Sequence, residues 1–145
     1  MKTLKITALA LFATAMVTAQ DLDMHEVPTE LSETFQNEYR NAMDVEWEKE
    51  GANYKVEFDV NDMEHEIWYT NDGTKVKSEM EITKADVPNA ITKAIKHNYA
   101  DYKIDSVEMT EMNGKKTYEV ELEKGWFKDM DVVFDANGSV LSSDK

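Results

Sequence analysis

Residues 27–39 read VPTELSETFQNEY, and residues 87–99 read VPNAITKAIKHNY, with the same opening Val-Pro and the same closing Tyr sixty positions apart. A proline in the first turn of a helix costs nothing there, because that turn's N–H groups have no partner within the helix. Apolar residues then recur three or four apart: Leu31, Phe35, Tyr39 and Ala42 in the first stretch, and Ile91, Ala94, Ile95, Tyr99 and Tyr102 in the second. This is the spacing of one helical face. Two amphipathic helices are expected.

After each of these stretches the apolar period drops to two, the signature of a strand with one buried face. Val45 and Trp47 alternate with Asp44, Glu46 and Glu48. Tyr54, Val56, Phe58 and Val60 alternate with Lys55, Glu57 and Asp59. Ile67 and Tyr69 alternate with Glu66, Trp68 and Thr70, and Val76 lies between Lys75 and Lys77. The second half offers Val107 and Met109, then Tyr118, Val120 and Leu122, then Met130, Val132 and Phe134, and finally Val140. Gly51, Asn71-Asp72-Gly73, Asn113-Gly114 and Asn137-Gly138 fall between the runs and tolerate the positive φ that tight hairpins demand. The reading is an α+β fold of two tandem αββββ repeats, residues 27–82 and 87–145. Together they form one antiparallel sheet in a single globular unit, with helices on one face and the other face exposed. One helix over four strands leaves an open edge and a thin core, so two units joined edge to edge explain why the chain repeats itself.

The first nineteen residues belong to a different logic. Lys2 and Lys5 precede an apolar run from Ile6 to Val17, and small residues follow at Val17-Thr18-Ala19. That order is a secretory signal peptide cleaved after Ala19; the run is too short for the ~20 residues of a membrane-spanning helix. Residues 20–26 are then a short leader, and the protein is expected to be periplasmic or secreted, with no membrane attachment after cleavage.

Removing residues 1–19 takes two lysines and no acids, so the net charge moves from −14 to −16. A field of that sign repels phosphate backbones and anionic headgroups, and Arg40 is the only arginine, which argues against nucleic acid and membrane surfaces as partners. Solubility alone accounts for such a charge; attraction to a basic partner or to divalent cations is the sharper reading. There is no cysteine, so disulfides contribute nothing, and a chain of this size needs none.

The polar phase of the strands supplies the candidate site. Glu46, Glu48, Glu57, Asp59, Glu66, Glu108, Glu119, Glu121, Asp129 and Asp131 should share the uncovered face, with Lys55, Lys75 and Lys77 as local exceptions. Trp68 and the Trp126-Phe127 pair interrupt the polarity. They read either as exposed binding hot spots or as aromatics that cover a sheet end or pack under a loop. The candidate binding set is Trp68, Glu66, Glu57, Asp59, Glu119, Glu121, Trp126, Asp129 and Asp131.

The paired Val-Pro helices, each followed by a meander of charged and aromatic strands with Asn-Gly or Asn-Asp-Gly turns, behind a signal peptide, resemble the PepSY-like family, also described as β-lactamase-inhibitor-like. These are small exported proteins of Bacteroidetes. The resemblance covers the chain from about Glu26 to its end in two copies. It implies a sheet with helices on one side, and an exposed sheet surface that in the inhibitor grips a secreted enzyme. That inhibitor is stapled by disulfides and this chain has none, so its contacts do not map onto residues here; fold transfers better than target.

Catalytic chemistry finds no footing. None of His25, His65 and His97 is paired at helical spacing with another, and an extended strand turns His65 away from Glu64 and Glu66. With no Cys, no G-x-S-x-G elbow and no phosphate-cradling loop, no triad or nucleotide site can be assembled. Carboxylates are plentiful, yet acid–base catalysis needs a pocket that pushes two of them apart in pKa. The turns Asn71-Asp72-Gly73 and Lys128-Asp129-Met130-Asp131 are oxygen-rich but lack the spacing of a calcium loop. No catalytic residue, metal or cofactor is expected. The function read from the sequence is a non-enzymatic exported binding protein whose acidic face captures a basic protein or peptide, inhibiting or escorting an exported enzyme. A periplasmic small-ligand or calcium carrier is the alternative, and a purely structural envelope protein a third reading.

Overall fold

A computed structural model describes residues 19–125 and 128–144. The elements run β1 (Ala19–Leu22), α1 (Thr29–Glu38), β2 (Met43–Glu50), β3 (Asn53–Val60), β4 (Met63–Tyr69), β5 (Lys75–Glu81), α2 (Asn89–Asn98), β6 (Lys103–Met112), β7 (Lys115–Glu123), β8 (Asp129–Asp135) and β9 (Val140–Asp144). This is an α+β fold with one sheet of nine strands, each hydrogen-bonded to its neighbour in sequence and every pairing antiparallel. Eight strands were expected. The ninth is β1, built from residues read as leader: Gln20, Asp21 and Leu22 pair with Lys49, Glu48 and Trp47. Four residues, of which only Leu22 is a strong apolar signal, give too little periodicity to reveal a strand.

Both helices are ten residues long. Pro28 and Pro88 stand one position before them, with extended backbone at φ −52°. Each helix stops at its tyrosine, where the Tyr39 and Tyr99 amides donate to the Phe35 and Ile95 carbonyls. Ala42 and Tyr102, expected to continue the helical stripe, sit in the turn that follows, held by Ala42 N–H to Tyr39 O and Tyr102 N–H to Tyr99 O.

Val27, Leu31 and Phe35 share a core with Trp47, Val56, Phe58, Ile67 and Tyr69. Val87, Ile91 and Ile95 share a second core with Val107, Met109, Tyr118, Val120, Leu122, Met130, Val132 and Phe134. Residues directly opposite across adjacent strands point to the same side of a sheet. One such row runs Phe58, His65, Met80, Met109, Tyr118, Phe134 from β3 to β8, linking a residue under α1 to residues under α2. The apolar phases of both halves therefore lie on one side, the side that carries the helices. Edge-to-face contacts of Phe35 with Trp47 (5.5 Å) and Phe58 (4.9 Å) fix the first core, each worth about 0.5–1.5 kcal/mol beyond area burial.

Turns fall where the sequence placed them, and one more appears: Asn61 and Asp62 both take positive φ between β3 and β4, the conformation of a tight hairpin turn. A register shift after Trp68 leaves Val76 without a partner in β5. This bulge reverses the phase ahead of it. Lys75, expected on the acidic side, instead lies opposite Tyr69 and reaches α1, 2.9 Å from Glu38 and 3.0 Å from the Tyr39 hydroxyl.

Candidate binding surface

On the side of the sheet opposite the helices, register stacks like charges. Glu46 faces Glu57, Glu57 faces Glu66, and Glu66 faces Glu79, four glutamates on four consecutive strands, with Thr110 next in line. Adjacent strands lie about 4.8 Å apart, and like charges directly opposite one another destabilise a sheet. A second row places Glu81 against Glu108 and Glu108 against Glu119; a third runs Ser106, Glu121, Asp131, Asp144. Among the described residues no helix lies on this side.

Most of the sequence-nominated residues meet here. Glu57 and Glu66 belong to the first row, Glu119 to the second, and Glu121 and Asp131 to the third. Asp59 faces Glu64 near the β3–β4 turn, and Asp129 faces Glu123 at the margin. Trp126 lies outside the described residues. Trp68 is on this side but is not the exposed aromatic expected: it is 9% exposed. Its indole N–H donates to Glu50 at 2.8 Å, the Lys77 ammonium stands 4.0 Å above its ring and that of Lys55 5.6 Å. Two lysine stems cover the ring, as long amphipathic side chains do.

Lys55 is the centre of charge in the first half. Its ammonium lies 3.0 Å from Glu66, 3.3 Å from Glu57 and 3.9 Å from Glu48. Burial alone would lower its pKa, but attraction by these three carboxylates raises it above the ordinary lysine value. Glu66 is raised too, because burial outweighs the pull of Lys55. Lys77 pairs with Glu79 at 2.7 Å. In the second half the carboxylates are less well matched. Burial, then the neighbouring Glu79, Glu119 and Glu66 charges, push Glu108 up to about 7, with Lys77 only partly opposing. Glu119 is raised by burial and by Asp131, Glu79 and Asp144; Asp131 by burial, Asp144 and Asp129. Glu121 is raised by burial despite a hydrogen bond from Ser106 at 3.0 Å.

Among the described residues, two groups bring three possible metal-binding atoms within 4.8 Å of one another: Glu57, Glu64 and Glu66, and the exposed Asp23, His25 and Glu26. In the first, the Lys55 ammonium already stands among the oxygens a cation would use. His65 is on the other side of the sheet, stacked on Phe58 at 5.2 Å and half-buried; burial lowers its pKa. A cleft of about 470 Å³ opens on Tyr39, Lys75, Ser78 and Glu111, and another of about 370 Å³ between the start of α1 and the Asn71–Gly73 turn. Neither is lined by the carboxylates with raised pKa.

The sequence reading missed Glu64, Glu79 and Glu81. Lys77, Glu79 and Glu81 do alternate with Ser78 and Met80, but Ser78 carries no apolar signal and the bulge at Val76 breaks the run.

Two stretches, residues 15–74 and 52–142, match the PepSY-like family, which is described, provisionally in its own wording, as beta-lactamase-inhibitor-like. Among solved structures, a BLIP-like protein of Bacteroides fragilis superposes with a TM-score of 0.62 at 22% identity, covering 81% of this chain and 84% of that one. A protein of Bacteroides eggerthii provisionally described as periplasmic gives 0.67 at 20% identity, covering 81% and 88%. At these identities the likeness is one of fold. No curated protein matches the sequence.

Proposed function

The chain belongs to the PepSY-like, beta-lactamase-inhibitor-like family, and from that premise we propose that it is a non-enzymatic, exported binding protein whose acidic sheet face docks a basic protein or peptide. The observation that carries this reading is the four-strand glutamate row, Glu46, Glu57, Glu66 and Glu79. A sheet gains nothing from opposing like charges, whereas a basic partner gains both steering and contact from them. In this reading the chain is a duplicated αββββ unit whose helices line one side and leave the other free. Residues 1–19 direct export and are cleaved after Ala19, and the partner is an exported enzyme that is inhibited or escorted. No helix among the described residues is long and apolar enough to cross a membrane.

The test is capture from periplasmic extract with three baits: the wild type, a face variant (Glu57→Lys, Glu66→Lys, Glu119→Lys, Glu121→Lys) and a helix-side control (Glu30→Lys, Glu33→Lys). A basic partner retained by wild type and control at low salt, released at high salt and lost by a folded face variant supports the reading. Equal retention by the face variant overturns it.

A further inference from the structure

The two halves of the acidic face are built on the same register and filled differently. In the first half, one cross-strand row reads Glu48, Lys55, Trp68, Lys77. The row at the same place in the second half reads Glu108, Glu119, Val133, Ser142. The correspondence follows from the core residues beside them: Val56, Ile67 and Tyr69 occupy the positions of Val120, Val132 and Phe134. Thus Glu119 stands where Lys55 stands, Val133 where Trp68 stands, and Ser142 where Lys77 stands.

The consequence is a charge that the first half partly compensates from within and the second does not. Lys55 bonds three carboxylates and Lys77 a fourth. Among the described residues, no ion pair reaches Glu108, Glu119, Glu121 or Asp131; their side-chain hydrogen bonds amount to Ser106 to Glu121. Exchanging Trp68 for Val133 and Lys77 for Ser142 also removes the bulk that roofs the first half. What remains among the described residues is a half-buried anionic row beside a small apolar residue, complementary to a cation carried next to an aromatic ring.

We propose, resting on the docking function above, that Glu108 and Glu119 receive a lysine or arginine side chain of the protein partner, with an adjacent aromatic residue laid over Val133. The partner thereby supplies what Lys55 and Trp68 supply from within the chain in the first half. A charge-assisted hydrogen bond formed at a half-buried carboxylate is stronger than one in open water, and an aromatic beside the cation adds its own attraction. The raised pKa of Glu108 fits a carboxylate waiting for a counter-charge.

The probe is the dipeptide N-acetyl-Lys-Trp-amide, titrated at low salt into the isotope-labelled exported protein and followed by amide chemical shifts, with N-acetyl-Glu-Trp-amide as control. The expected result is saturable movement centred on Glu108, Glu119 and Val133, none with the acidic control, and about tenfold weaker binding by Glu119→Lys. Because Glu119→Lys copies the first half's arrangement, it should fold; Val133→Trp, which fills the same space without a charge change, gives an independent second variant that should also weaken binding. Shifts centred on Glu57 and Glu66, or unchanged affinity in both variants, overturn this assignment while leaving the docking face standing. Shifts confined to the helix side, or none at all, count against the docking face as well.

Discussion

The two helix-bearing cores occupy equivalent places and use different chemistry. The first is aromatic: Phe35, Trp47, Phe58 and Tyr69 meet under α1, with Tyr39 stacked on Phe35. The second is largely aliphatic, with Ile95 in the place of Phe35, Val107 in the place of Trp47, and Phe134 in the place of Tyr69. Aromatic filling brings polar atoms inside. Trp47 Nε1 and the Tyr69 hydroxyl are both buried without a hydrogen-bond partner, and burial pushes the Tyr69 hydroxyl up to about 12. Val107 and Phe134 carry no such atoms. The turns differ in the same direction. A Cβ added to Gly138 would lie 2.7 Å from the Ala90 carbonyl oxygen, so the β8–β9 turn packs hard against α2, whereas one added to Gly73 would meet nothing within 4 Å. Shared backbone geometry therefore tolerates one half built tightly and one built with unmet hydrogen bonds and a cleft.

The largest expected effect sets the scale for the tighter half. Phe134→Ala empties a fully buried site and should cost about 3–5 kcal/mol in urea unfolding; a cost near 1 kcal/mol would mean that the second core is looser than its packing. Gly138→Ala and Gly73→Ala test the turns. Both sit at φ near +80° (84° and 81°), which costs a non-glycine residue about 1 kcal/mol, but only Gly138 adds a clash with backbone. Gly138→Ala should therefore be the more destabilising by about 1–3 kcal/mol, and equal costs would remove the distinction between the turns.

Glu108→Gln tests the unmatched charge. An unfolded glutamate loses its proton near 4.5 and folded Glu108 near 7. Between those values the folded state holds a proton that the unfolded state has released, so stability from this group is complete below about 4.5 and is lost as pH rises to 7. Thermal melts at pH 8 should show the glutamine variant more stable by about 1–2 kcal/mol, with the gain vanishing near pH 4; a gain that is constant with pH would exclude the titration of this group. The smallest effect belongs to Tyr69→Phe, which gives the first core the ring its counterpart already has. Removing an unpartnered hydroxyl should leave stability unchanged or raise it by up to about 1 kcal/mol, and a clear loss would reveal a partner for that oxygen.

What the sequence disclosed follows from where burial is one-sided. Trp47, Val56, Phe58, Tyr118, Val120 and Phe134 keep strict alternation because one flank of each strand meets a helix, and their elements were readable. β1 escaped notice because it is four residues at an edge, and β5 was blurred because it lies between the two cores, where Ser78 suffices as an inward residue. The acidic side was legible as a set of alternating carboxylates. Its unevenness was not: that Lys55 joins three carboxylates, and that Lys77 roofs Trp68, depends on cross-strand register, which no single strand's sequence encodes.

β1 has a bearing on the protein's maturation. If the signal peptide is cut after Ala19, as proposed, the scissile bond joins residues that lie within β1, with Ala19 and Gln20 facing Glu50 and Lys49. A peptidase must seize its substrate as a detached ribbon, and a segment already zipped to its neighbour cannot be seized. Trimming must then precede the sealing of that border, and a precursor that completed its fold too early would conceal its own cleavage point.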